Sequence, residues 1–143
     1  MFAGFNQPFA PAKTGFEWLS CDESEVQKYA DDPWCGFPFT NRLVLDMFKG
    51  GKAVWTDANE ARIPKNLPVY IFSGELDPVG GNTLAVKDLI RRYQAQGIHN
   101  LAYRFYPGDR HETLNETDRD EVQADLLDWL DHTLAGEALS GAL

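Results

Sequence analysis

The chain has 143 residues, 43% hydrophobic and 24% charged, the size and composition of one ordinary globular domain, which excludes wholesale disorder. Its 13 Lys and Arg stand against 22 Asp and Glu, a formal net charge of −9, so a nucleic-acid partner is not expected: binding a phosphate backbone needs a basic patch. Met1 to Asn6 show no basic stretch leading into an apolar run, the longest apolar run (Leu67 to Phe72) is too short for a bilayer, and Cys21 and Cys35 form no Cys-x-x-Cys, so a cytoplasmic chain with reduced thiols and no integral membrane segment is expected.

The first 55 residues hold 11 of the 18 aromatics, together with Pro8, Pro11, Pro33 and Pro38, so helices here are expected to be short. One starts after Ser20–Asp22, runs through Glu25 to Tyr29 and ends before Asp32-Pro33. A second starts at Thr40 or Asn41, places Leu43 and Met47 on one side with Val44 and Phe48 beside them, and stops at Gly50-Gly51. A short turn follows around Asp57–Ala61. The character changes near Ile63-Pro64-Lys65, where a more regular half begins.

Leu67 to Phe72 is a continuous apolar run of strand length, the mark of a strand buried on both faces. A loop spans Gly74 to Gly81. A helix follows from Asn82 or Thr83, with Val86, Leu89, Ile90 and Tyr93 inward and Gly97 at its end. Leu101 to Tyr106 is a second strand, stopped by Pro107-Gly108. The last helix runs from about Asp118 to Leu134, with Val122, Leu126, Leu127, Leu130 and Leu134 as its apolar stripe. Strand, helix, strand, helix implies a parallel pair with a crossover connection, hence an α/β class. Residues 66–143 carry 13 acidic and 6 basic side chains, and the excess between Asp109 and Asp131 reads as a solvated helix face.

In a parallel unit the loops after both strands meet at the carboxyl edge of the sheet, where open α/β sheets bind ligands. The first loop reads Ser73-Gly74-Glu75-Leu76-Asp77-Pro78-Val79-Gly80-Gly81 and the second Pro107-Gly108-Asp109-Arg110-His111-Glu112. An acid after one strand and a histidine after the next is the arrangement that lets a carboxylate orient an imidazole. On spacing alone Asp77 is more readily a turn residue, because Asp-Pro is a common turn dipeptide, and a loop histidine is more often solvated or structural. His99 and His132 have no nameable partner. Gly80-Gly81-Asn82 lacks the Gly-Lys-Ser/Thr ending of a phosphate loop. His111-Glu112 opens like a zinc-protease motif but has Asn115 where the second histidine belongs, so no metal site and no cofactor are expected.

Three stretches carry a resemblance: Ile63-Pro64-Lys65-Asn66-Leu67-Pro68-Val69, the Ser73 to Gly81 loop, and Tyr106-Pro107-Gly108-Asp109-Arg110-His111-Glu112-Thr113-Leu114-Asn115-Glu116. With Asn6-Gln7-Pro8-Phe9, Trp18-Leu19-Ser20 and Asp32-Pro33-Trp34-Cys35-Gly36-Phe37, they make the chain resemble the α/β-hydrolases of the monoacylglycerol lipase and lysophospholipase, serine aminopeptidase-like, branch. The resemblance implies the carboxyl-terminal part of that fold: a helical, aromatic-rich lid or cap over residues 1–62, then a strand-helix-strand-helix part of the core over 63–143. It makes Asp77 and His111 the acid and base of a Ser-His-Asp triad.

The family's nucleophile sits in a Gly-x-Ser-x-Gly elbow upstream of the lid, with the oxyanion donors in the same region. Here Ser20, Ser24, Ser73 and Ser140 all lack that context, and neither cysteine replaces it. The resemblance therefore implies an ester hydrolase acting on monoacylglycerol, lysophospholipid or similar acyl esters, with the serine supplied by a separate amino-terminal part. An idle, truncated relic or interaction module is the competing reading, and an aspartate nucleophile of the dehalogenase kind a third. With only two strands, the sheet is expected to complete itself against that missing half or a second copy.

Overall fold

A computed structural model of the chain describes residues 4–143; Phe2, one of the aromatic residues counted above, lies outside them. The regular half is built on two parallel strands, β1 (Val69–Gly74) and β2 (Leu101–Tyr106), in register from Val69 opposite Leu101 to Gly74 opposite Tyr106. Alternate side chains point to opposite faces of a strand, and both faces of this sheet are apolar. On one, Val69, Ile71, Leu101, Tyr103 and Phe105 meet Val86, Ile90 and Tyr93 of the crossover helix, around a buried nucleus of Ile90, Ile98 and Leu101. On the other, Trp129 of the final helix stacks on Tyr70 at 5.6 Å and Asp125 accepts from the Tyr106 hydroxyl at 2.7 Å. That two-sided covering is why the strands read as unbroken apolar runs. Val69 to Phe72 are nevertheless only half-buried, because among the described residues β1 is paired on one side alone.

The sheet is three-stranded, not two-stranded: Gly141–Ala142 forms a short β3, parallel to β2, opposite Ala102 and Tyr103. Two residues give no periodicity, so no sequence pattern announced it.

Of the helices, α1 (Glu23–Asp31) starts where Asp22 accepts the Ser24 and Glu25 N–H groups, and ends ahead of Pro33. The second, α2 (Asn41–Val54), is capped by Thr40. It runs through Gly50-Gly51 instead of stopping there. Each glycine costs a helix interior about 1 kcal/mol, and the helix is closed further on by Asn59, whose side chain donates to the Ala53 and Val54 carbonyls at 2.9 and 3.2 Å. A turn of helix, α3 (Asp57–Glu60), follows. The crossover helix α4 (Leu84–Ala95) starts later than Asn82 or Thr83 because both have left-handed backbone, φ +50° and +73°. Thr83 is β-branched and buried there, a strained conformation.

The last helix, α5 (Arg119–Leu134), buries Val122 and packs with Asp125, Leu126 and Trp129, one face at i, i+3, i+4 and i+7. Leu127, Leu130 and Leu134, counted in the expected stripe, lie on the neighbouring face and are exposed. The acidic run is also not uniformly solvated: Asp109 and Glu116 are buried, Glu116 completely.

Candidate active site

Gly74, the last residue of β1, brings the two loops together. A Cβ there would stand 2.5 Å from the Asp109 carbonyl carbon and closer still to the Asp109 and Arg110 carbonyl oxygens, so only glycine lets the backbones meet. The contact is stitched by Glu75 N–H to the Tyr106 carbonyl at 3.0 Å and Leu76 N–H to the Asp109 carbonyl at 2.9 Å. The loop after β1 is thus held against the loop after β2, with Asp77 and His111 three residues beyond Gly74 and two beyond Asp109.

Asp77 is 7% exposed, and His111 Nδ1–H donates to its Oδ1 at 3.1 Å. The same oxygen accepts the Val79 N–H at 2.8 Å. Asp77 is therefore both the turn residue that Asp-Pro signals and the partner of the histidine. There is little slack around it: a Cβ on Gly80 would meet the Asp77 Oδ2 at 3.4 Å and a Val86 methyl at 3.1 Å. The hydrogen bond His111 donates to Asp77 raises the His111 pKa above its ordinary value, against a smaller opposing effect of burial, with the Asp77 and Glu112 charges adding to the rise. Because Nδ1 faces the carboxylate, Nε2 is the nitrogen left for chemistry.

The cap segment reaches the same histidine. The indole of Trp18 lies over the imidazole, ring centroids 5.3 Å apart, and the Trp18 carbonyl accepts the His111 N–H at 3.4 Å. Glu112 N–H donates to the Leu19 carbonyl at 2.8 Å. Arg110 ties the cap segment behind them, its guanidinium donating to the Glu17 and Ser20 carbonyls at 2.5 and 2.9 Å. Glu17 in turn gathers the Lys13, Thr14 and Gly15 N–H groups at 2.6 to 3.0 Å. Burial alone would raise its pKa, but the bonds from the Thr14 N–H, the Asn6 side chain, its own N–H and the Lys13 N–H hold it at about 2. Beside Trp18 opens a cavity of about 720 Å³ walled by Phe16, Tyr29, Trp34, Phe37 and Phe39 among others.

The remaining histidines stand elsewhere: His132 bonds the Asp128 carbonyl at 2.8 Å on α5, and His99 the Gly97 carbonyl at 3.1 Å. Ser20 and Ser73 are buried, Ser20 donating to the Asn115 carbonyl and Ser73 to that of Gly74. Two buried acids beside His111 escaped the sequence reading. Glu116 accepts backbone N–H groups from both loop and cap. The Asp109 carboxyl faces Asp118 and is pushed up to about 7, first by burial and then by the Asp118 and Glu116 charges. Both sat within a charge run that resembles any exposed helix face.

Residues 5–118 match the family of hydrolases described as serine aminopeptidase, S33. Among solved structures, a highly thermostable carboxyl esterase from Bacillus coagulans in complex with glycerol is similar with a TM-score of 0.80 and 26% identity over 91% of this chain. A lipase in its open form is similar with a TM-score of 0.77 and 28% identity over 92% of it. In each case the chain spans only 43% of the length of the structure it matches. None of the curated proteins compared matches it. No helix among the described residues is long and apolar enough to cross a membrane.

Proposed function

We propose, for a chain that belongs to the serine aminopeptidase S33 family of hydrolases, that it supplies the acid and base of a Ser-His-Asp triad for hydrolysis of carboxylic esters. The observation that carries this reading is the Asp77–His111 hydrogen bond at the carboxyl edge of the sheet. His111 Nε2 takes the proton of a serine hydroxyl as its oxygen attacks the ester carbonyl, then gives it to the departing alcohol oxygen. In the second half it takes a proton from water, whose oxygen attacks the acyl-enzyme, and returns it to the serine. Asp77 fixes the tautomer and stabilises the imidazolium formed twice in each cycle. The upward shift of His111 strengthens it as a base. No metal or cofactor enters these steps.

The serine and the oxyanion donors come, in this reading, from an amino-terminal part, since no serine of this chain lies in a Gly-x-Ser-x-Gly elbow. Residues 1–62 act as the cap and 63–143 as the carboxyl-terminal part of the core. The open edge of β1 and the exposed Leu127, Leu130 and Leu134 are surfaces for that part to cover. The substrates are lipid acyl esters of the monoacylglycerol or lysophospholipid type. The aromatic cavity has the volume and lining that an acyl chain needs, and one of its walls is Trp18, whose ring lies 5.3 Å from that of His111.

The test is complementation. The chain is mixed with the amino-terminal part of a family relative that carries the elbow, and p-nitrophenyl ester turnover and fluorophosphonate labelling are measured. Turnover is expected only from the pair and is lost with His111→Ala. Undiminished turnover by the His111→Ala pair rejects the assignment, and a pair that assembles yet neither labels nor turns over favours the idle relic.

A further inference from the structure

Glu116 is the most deeply buried ionisable side chain described, with no exposure at all, and neither the triad nor the cavity uses it. A carboxylate is kept in such a place only where hydrogen bonds replace its water. Its Oε1 accepts the Arg110 N–H at 2.9 Å, and its Oε2 accepts the Cys21 N–H at 2.8 Å and, more weakly, the Thr117 N–H at 3.4 Å. Arg110 immediately precedes His111. Cys21 ends the short cap segment that begins at Trp18, whose ring lies beside the imidazole. Between these two anchors the cap and the loop pair directly, His111 N–H to Trp18 and Glu112 N–H to Leu19. Glu116 therefore holds both partners of this pairing, the loop at the residue before His111 and the cap at the second residue after Leu19.

We propose that Glu116 is a positioning residue, its two carboxylate oxygens clamping the His111 loop to the Trp18–Cys21 cap segment so that the imidazole is held between Asp77 and the Trp18 ring. The charged groups around it reinforce the clamp. The Arg110 guanidinium holds the Glu17 and Ser20 carbonyls, and Arg119 donates to the Glu116 carbonyl and to Asp22, the α1 cap, at 3.0 Å each. Asp109 and Asp118 face one another alongside. A carboxylate is required because both of its oxygens receive N–H donors; a carboxamide offers one acceptor and turns an NH₂ toward the other donor.

The inference rests on His111 being the base of the proposed triad, and its test reads the imidazole directly, so that its failure is separable from absence of ester cleavage. ¹⁵N-histidine NMR of the 143-residue chain follows the titration and tautomer of His111, with amide exchange at Arg110 and Cys21. Glu116→Ala is expected to speed exchange at both amides by about tenfold or more, and to move the His111 pKa down from its raised value toward 6.5, with mixed tautomers. Glu116→Gln shows a smaller shift with one of the two amides still slow. Glu60→Gln, which alters another buried carboxylate paired with Arg92 on α4, controls for a general loss of stability. If Glu116→Ala does not fold, Glu116→Gln decides. A His111 titration that overlays the parent's, or moves no more than in Glu60→Gln, overturns the proposal.

Discussion

Gly74→Ala isolates the contact on which the site depends. The new Cβ would stand 2.5 Å from the Asp109 carbonyl carbon, where ordinary contact begins at 3.4 Å, so one backbone must retreat by about 1 Å. No side chain can rotate out of the way, because what it meets is main chain. Overpacking of this kind costs about 1–3 kcal/mol, or a fall of about 3–12 °C in Tm at about 3–4 °C per kcal/mol for a chain of this size. The retreat also pulls the His111 loop from Asp77. A 3.1 Å hydrogen bond lengthened by about 1 Å is no longer one. The His111 pKa should then fall toward its ordinary 6.5, measured by NMR titration alongside the melting curve. Gly97→Ala is the control: it forces a side chain onto φ +82° with nothing within 4 Å, so it adds backbone strain remote from the loops and should leave His111 titrating as in the parent. A Gly74→Ala chain that melts within 2 °C of the parent (roughly 0.5 kcal/mol) with His111 unmoved would refute the reasoning.

Asp77→Asn should leave the fold intact but lower the His111 pKa, and in the complemented pair reduce turnover by about 10⁴-fold, the scale of the protease precedent; near-parental turnover would count against Asp77 as the acid. Above about pH 5, where Glu17 is already ionised in both states, stability should decline as pH rises. Asp109 binds its proton up to about 7 when folded but only to about 3.8 when unfolded, so the folded state holds more protons between those values and loses up to about 4 kcal/mol across them. His111, also raised, adds a loss that begins near 6.5 and is complete above its folded value. Urea melts at pH 5 and 8 read the sum, and Asp109→Asn should flatten the slope between about 4 and 7; an unchanged slope contradicts the buried acid pair. Light scattering at micromolar concentration should show association through the open β1 edge and the exposed leucines of α5, and a monomer of 16.1 kDa that binds no hydrophobic dye would speak against it.

What the sequence made legible follows from where the physical signals are local. The β2 strand and the limits of α1 were readable because apolar runs, caps and prolines act on their own neighbours. The extension of α2 was not, because its end is set by Asn59, five residues beyond the helix, and not by the glycines within it. Exposure of Leu127, Leu130 and Leu134 was not, because a helical stripe tells which residues share a face but not whether this chain supplies the surface that face meets. The acids of the Asp109–Glu116 stretch failed for a different reason. Burial of a charge depends on partners distant in sequence: Cys21 lies 95 positions from Glu116.

Asp77 is the instructive case, because the geometry makes it a turn residue and the hydrogen-bond partner of His111 at once. A carboxylate has several lone-pair sites. The Asp-Pro turn draws one of them to the Val79 N–H, which fixes the side-chain rotamer, and a fixed rotamer is what allows the same oxygen to meet His111 Nδ1 at a constant place. The turn preference of the dipeptide is thus part of how the acid is held, through a backbone bond that needs no neighbour from another element. Only the distance to His111 depends on the rest of the fold, and there Gly74 sets it.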